Sequence, residues 1–147
     1  MKLKHARRMI IVMMLALLGP LFAGIGRLGA FQGEPQGFGG FAWGTPKEEL
    51  GTMRYVRTDC AGNALYEKQG EVPHWGRARL TAIEYGFREG RLAGVTLRVN
   101  SLFQYLLMKE EALKRYGEGE EVAGRKDSYA WNGENTSISL TSRFADS

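Results

Sequence analysis

Few side chains in this sequence can do covalent chemistry, and they are widely spaced. Cys60 is the single cysteine and His74 the single histidine beyond residue 5. A nucleophilic site needs a nucleophile, a base and a group that orients the base. Cys60, His74 and Asp59 are the only set of that type, and nothing in the sequence requires a fold to join them. Pro73-His74-Trp75-Gly76 reads as an exposed turn, and Asp59-Cys60-Ala61-Gly62-Asn63 as another. Zinc takes three or four Cys, His or carboxylate ligands, more than one histidine and one cysteine supply. Glu118, Glu120 and Glu121 lack the alternating Asp/Asn pattern of a calcium loop. Glu48-Glu49 and Glu110-Glu111 are carboxylate pairs, but neighbours on a helix point apart. The sequence therefore implies no enzyme activity, no metal and no cofactor.

One motif is a decoy. Gly24-Ile25-Gly26-Arg27-Leu28-Gly29 matches the dinucleotide fingerprint G-x-G-x-x-G. That fingerprint must follow a strand and open a helix. Ala30-Phe31-Gln32-Gly33-Glu34-Pro35 does not open a helix. Asn135-Thr136-Ser137 is a glycosylation triplet, of the kind that also arises by chance.

Binding is more readable than catalysis. The Val72–Arg77 loop sets Trp75 beside His74 and Arg77, and Trp and Arg are enriched at interface hot spots. His74, Trp75 and Arg77 are the candidate binding residues if the loop is exposed. The alternative is that Trp75 folds back onto the sheet. Trp75 or Tyr85 exposed over a deep pocket would instead suit sugar stacking.

The elements that hold these residues follow from periodicity. Leu80–Arg88 and Arg91–Val99 alternate apolar and polar residues around Glu89-Gly90, the pattern of a hairpin with one buried face. Ile83, Tyr85, Phe87, Val95, Leu97 and Val99 face inward; Glu84, Arg88, Thr96 and Arg98 face water. Thr52–Arg57 and Asn63–Glu67 read as further strands, with Met53, Tyr55 and Arg57 on one face. Ser128–Asn132 and Thr136–Thr141 form a second hairpin around Asn132-Gly133, with Trp131, Ile138 and Leu140 inward. Thr45-Pro46-Lys47-Glu48 is a capped start for a short helix over about 46–50, stopped by Gly51. Ser101 caps a longer helix over about 102–116, with Leu102, Tyr105, Leu106, Leu113 and Tyr116 on its apolar stripe, widened by Met108 and Ala112, and Gly117 as its stop. The predicted fold class is α+β, both helices packing on one face of an antiparallel sheet.

The N-terminus carries an address. Lys2, Lys4, Arg7 and Arg8 precede an apolar run, Met9–Leu18, that ends at Gly19-Pro20. A basic segment, a short apolar segment and then small residues is the layout of a secretory signal. A spanning helix needs about 20 apolar residues, twice this run. Residues 1–30 are therefore expected to be a signal peptide, cleaved after Ala23 or Ala30. An uncleaved inner-membrane anchor is the alternative, and membrane contact is expected only through that segment. Residues 31–40 form a Gly-rich, flexible lead-in, and 41–147 a single domain. The expected location is outside the cytosol, periplasmic or secreted.

Charge agrees with this division. The chain has 20 Lys and Arg against 16 Asp and Glu. Five of the 20 precede the first acid, Glu34, which leaves 15 against 16 beyond it. The basic excess belongs to the leader, so the remainder has no overall cationic character to recruit nucleic acid. Cys60 has no partner for an internal disulfide, and burial as a small apolar residue is the expected use, with an intermolecular bridge as the alternative.

The tandem helix-then-hairpin order, Trp43-Gly44-Thr45 leading into a capped helix, Tyr85-Gly86-Phe87, and Glu89-Gly90-Arg91-Leu92 resemble small bacterial envelope domains. These are the outer-membrane assembly lipoproteins of the SmpA/OmlA type and the β-lactamase-inhibitor-protein-like fold. The resemblance spans about residues 41–141. It implies a periplasmic domain that works by contact with an envelope protein. Those lipoproteins carry a cysteine at the cleavage site, and this chain has none before Cys60, so a lipid anchor does not carry over. The expected function is a non-catalytic exported domain that binds a protein or envelope component; the alternative is a small exported hydrolase or carbohydrate-binding protein.

Overall fold

The structure is a computed structural model that describes residues 31–143 and the backbone of 8–15. Its strands are β1 (Arg8–Leu15), β2 (Gly37–Phe38), β3 (Phe41–Ala42), β4 (Met53–Thr58), β5 (Ala64–Lys68), β6 (His74–Trp75), β7 (Ala78–Arg79), β8 (Ala82–Arg88), β9 (Arg91–Val99), β10 (Glu120–Glu121), β11 (Ser128–Asn132) and β12 (Thr136–Arg143). One α-helix, α1 (Leu102–Tyr116), lies between β9 and β10. Eight strands form one sheet in the order β10-β11-β12-β1-β9-β8-β5-β4, every neighbouring pair antiparallel. The pairs β2-β3 and β6-β7 form two small ribbons.

The α+β expectation is overturned. The described residues are mostly β, with one helix of 15 residues. The second helix expected over 46–50 is a single 3-10 turn, Lys47–Leu50, and Thr45 does not cap it. Its hydroxyl donates to the Ala42 carbonyl at 2.7 Å instead. The backbone explains why the turn does not grow: Pro46 is extended at φ −60°, ψ 140°, and Gly51 takes φ +93°. Its N-terminal end ties to the central hairpin, Leu92 N–H donating to Thr45 O and Lys47 N–H to Gly90 O, each at 2.9 Å. Thr45–Lys47 serves as an edge for β9 rather than as a helix start.

The hairpins form where alternation places them. Glu89 at φ 51° and Gly90 at φ 72° make the two-residue turn whose twist suits the flanking strands. Ile83, Tyr85, Phe87, Val95, Leu97 and Val99 are buried, as are Trp131, Ile138 and Leu140. The alternation on β4 fails because a bulge interrupts its register between Tyr55 and Arg57, and Tyr55 stays exposed.

Glycine density does not make residues 31–40 loose; they are docked, as are Phe41–Trp43 beyond them. The Glu34 carboxylate accepts from the backbone N–H groups of Asn135 and Thr136, each at 2.7 Å, and of Glu134 at 3.3 Å. The Pro35 carbonyl accepts from the Trp43 indole at 2.9 Å and the Thr136 hydroxyl at 3.0 Å. Phe31 packs edge-on to Tyr116, with ring centres 5.7 Å apart. The segment thus spans from the β11–β12 loop to the end of α1.

Residues 1–7 and 16–30 lie outside the described residues, and with them both cleavage positions and the glycine decoy. The N-terminal apolar run, expected to belong to a signal peptide, is described only as far as Leu15, as backbone, and there it lies in the strand β1 (Arg8–Leu15). Eight of its positions pair with β12 and six with β9. Among the described residues, no helix is long and apolar enough to cross a membrane.

Candidate functional site

The Val72–Arg77 loop folds as the ribbon β6-β7. Gly76 turns it at φ +56°, and Leu80 N–H closes it on the Pro73 carbonyl at 3.0 Å. The turn separates the three candidate binding residues. His74 is exposed, Trp75 is 5% exposed, and Arg77 is exposed with a guanidinium N–H 2.6 Å from Glu110 Oε2 on α1. Trp75 is thus a core residue, not a surface anchor. Its ring stacks on Tyr116 at 6.2 Å and carries the Arg115 guanidinium at 5.0 Å. Tyr85, the other candidate stacking platform, is 1% exposed. The exposed aromatic surface expected around Trp75 is not formed.

A cleft of about 740 Å³ does open beside the ribbon, between it and the 33–39 segment. Phe38, Trp75, Ile83 and Tyr116 give it apolar walls, and Glu71, His74 and Arg115 its charged or titratable groups. Two of these are already engaged. Glu71 Oε1 accepts from the Tyr85 hydroxyl at 2.6 Å, and Arg115 Nε donates to Glu111 Oε1 at 2.6 Å. Burial, then the bond and charge of Glu71, hold the Tyr85 phenol well above its usual range, so it stays a donor. Burial likewise pushes Tyr116 up to about 12. Convergent carboxylates, the mark of glycoside chemistry, are not what this cleft presents.

The helix α1 supplies a different surface. Its buried residues are Tyr105, Met108, Ala112 and Tyr116. Leu102, Leu106 and Leu113, expected to face inward, are exposed, together with Phe103 at 67%. The helix carries two apolar stripes about 100° apart, and the spacing of each satisfies the helical period. Tertiary contacts choose between them. Tyr105 Oη donates to the Asp127 carbonyl at 2.6 Å, and Tyr116 meets Phe31, Trp75 and Trp131. The losing stripe is left outward, with Glu110 at helical spacing between Leu106 and Leu113. Arg77 pairs with that Glu110, so one of the three loop candidates does border an exposed apolar surface.

The remaining candidates are spent on structure. Asp59 Oδ1 accepts from the N–H groups of Ala61 and Asn63 at 2.9 Å, and Oδ2 from the Asn63 amide at 3.1 Å. It closes the β4–β5 turn rather than orienting His74, which lies on the β6-β7 ribbon. Cys60, expected to be buried, is exposed in that turn. Glu110 and Glu111 diverge to Arg77 and Arg115. Among the described residues, no group of three His, Cys, Asp or Glu side chains is placed to hold a metal ion.

Sequence reasoning missed Glu84. Alternation assigns it to the wet face, yet it is 4% exposed. Arg57 reaches its Oε2 at 2.7 Å, and Arg98 spans Oε1 and Oε2 at 3.1 and 3.2 Å. The signal available was the register: Arg98 is two residues from Thr96, which pairs with Glu84 across β8 and β9.

Comparison of the chain with protein-family models, with curated proteins and with solved structures finds no match. The resemblance to envelope domains rests on the sequence pattern alone.

Proposed function

We propose that this chain is an exported, non-catalytic domain that binds an envelope protein through the outer face of α1. The observation that carries this reading is the exposed stripe of Leu102, Phe103, Leu106 and Leu113. Soluble domains rarely leave large apolar side chains contiguous on a helix unless something docks there. The charged residues around the stripe have both signs: Lys109, Glu110, Glu111 and Lys114 lie on the same helix. A lipid-surface helix concentrates Lys and Arg on its polar face instead. The stripe and the Arg77–Glu110 pair at its margin fit a protein surface with an apolar centre and a polar rim.

The test is affinity capture from the envelope fraction with the exported form as bait, run beside Phe103→Ser and Leu106→Ser. These exposed substitutions leave stability within about 0.5 kcal/mol of the parent. The reading expects a defined partner retained by the parent and lost by both variants. Equal capture by all three, or binding to protein-free lipid vesicles instead, would defeat it.

A further inference from the structure

We propose that removal of the leader opens a strand-wide slot in the centre of the sheet, which receives an extended segment of a partner protein. The proposal rests on the export reading above, and adds a second surface to it. Its basis is the position of β1. Arg8–Leu15 belongs to the leader by composition, yet it lies between β12 and β9, paired with β12 along its length and with β9 over Met9–Met14. Cleavage after Ala23 or Ala30 would take this strand away.

The walls of the slot do not depend on β1 for their attachment. The β8–β9 hairpin holds β9, with seven paired positions. The β11–β12 hairpin holds β12, and Glu34 and Pro35 pin its loop to the 31–44 segment. Val95, Leu97, Val99, Ile138 and Leu140 from the two walls belong to one core cluster with Tyr105 and Met108 of α1. Since both walls are antiparallel to β1, they run parallel to each other, two strand spacings apart, about 9–10 Å. Without an occupant, two rows of backbone N–H and C=O groups stand open in the middle of the sheet. Such edges recruit a strand.

The register also states what the occupant must look like. Positions 9, 11 and 13 stand opposite Val99, Leu97 and Val95 on one side, and Ser142, Leu140 and Ile138 on the other. Positions 10, 12 and 14 stand opposite Arg98, Thr96 and Gly94, and Thr141, Ser139 and Ser137. A strand suited to this slot alone would be apolar at the first set and polar at the second, as β12 itself is. Met9-Ile10-Ile11-Val12-Met13-Met14 is apolar at both. The leader fits by its backbone and by alternate positions, and its remaining apolarity answers to export. The partner segment is therefore six to eight residues long by the same pairing, antiparallel to β9 and β12, and apolar at every second residue.

The test starts with the exported protein as the cell makes it. Intact mass gives its first residue, and circular dichroism its fold. The probe is a synthetic Arg8–Leu15 peptide on a solubilising lysine tail, with Ile11→Lys and Val12→Thr versions, measured by fluorescence anisotropy. The proposal expects a folded chain that begins beyond residue 15 and binds the peptide one to one. Val12→Thr should bind within about threefold, and Ile11→Lys at least about tenfold more weakly, the loss expected for one apolar side chain kept from burial. An exported chain that keeps residues 8–15 overturns the slot and leaves the export reading standing. A chain that is never exported removes the export reading and the slot with it. A mature form that is unfolded, that binds no peptide, or that binds Ile11→Lys equally well refutes the slot outright.

Discussion

Glu34 is one acid in a glycine-rich segment, and its loss should destabilise the whole fold. Its carboxylate accepts three backbone N–H groups of the β11–β12 loop. The Thr136 residue is 2% exposed, so its N–H is left in a largely buried setting once the carboxylate is gone. An orphaned buried donor costs about 1–3 kcal/mol. Glu134 and Asn135 are exposed and can turn to solvent, so each adds only a few tenths. Glu34→Ala should therefore cost about 2–3 kcal/mol. At this chain length that lowers the melting temperature by about 6–15 °C. Glu34→Gln keeps one oxygen acceptor and loses the charge, and should cost about 1 kcal/mol.

Thermal unfolding followed by circular dichroism gives the size of the effect, and amide exchange its place. The Thr136 amide should lose protection in Glu34→Ala while the amides bonded within the β8–β9 ladder keep theirs short of global unfolding. A melting point within about 2 °C of the parent, or an unchanged Thr136 rate, would show that the clamp is not structural. Gly133→Ala is an independent check, because a Cβ there would collide with the Glu34 carboxylate. It should mimic Glu34→Ala in the parent and add little in a Glu34→Ala background, as two substitutions of one contact do.

Three further outcomes follow from buried groups. Glu84→Gln should lower the free energy of unfolding in urea by about 1.5–3 kcal/mol, less than for a fully buried triad because the Arg57 side chain is 41% exposed; no change would mean the arginines are satisfied by water. Gly119→Ala should cost about 1–3 kcal/mol, since the new Cβ would stand 2.8 Å from the Trp131 ring, whose N–H is held by Gly117 O; an unshifted urea midpoint would show that the indole can yield. Tyr116 has a folded value raised from 10.0 to about 12, with Tyr85 and Tyr105 raised further. A raised folded value means full stability below about pH 10, falling as the pH climbs toward 12, because the unfolded chain gives up phenol protons that the fold retains. Urea melts at pH 8, 10 and 11, read beside tyrosinate absorbance at 295 nm, should show that fall; a constant or rising midpoint would contradict it.

What the sequence carried legibly was anything set by local pattern. Two-residue periodicity found the inward residues of both long hairpins, and Glu89-Gly90 supplied a turn that only small or flexible residues enter easily. Ser101 and Gln104 placed the start of α1, where the Ser101 hydroxyl accepts from Gln104 N–H at 3.2 Å. The errors arose where two local answers were equally good and a distant contact chose. Leu102-Leu106-Leu113 and Tyr105-Met108-Ala112-Tyr116 both satisfy the helical period. Nothing near α1 in sequence shows that Phe31, Trp75 and Trp131 will meet Tyr116. The 46–50 turn failed for the same reason, since Thr45 and Lys47 bond to the β8–β9 hairpin more than 40 residues away.

The candidate site was less legible than the fold, because burial and not residue type decides what a tryptophan does. Trp75, His74 and Arg77 fall within four consecutive positions, and one tight turn sends them to the core, to a cleft and to α1. The same logic bears on the N-terminal run. A continuous apolar segment suits a secretory signal, and it suits a strand buried on both faces. The sheet distinguishes the two at positions 10, 12 and 14. They stand in register with Ser137, Ser139, Thr141, Thr96 and Arg98, a row that asks nothing apolar of its neighbour. Apolarity at those three positions is not asked for by the polar row in register with it, and the proposed export is a requirement that would account for it. On the proposed reading the pairing of β1 and the composition of β1 answer to different events in the life of the chain, which is why its removal and its replacement can be tested separately.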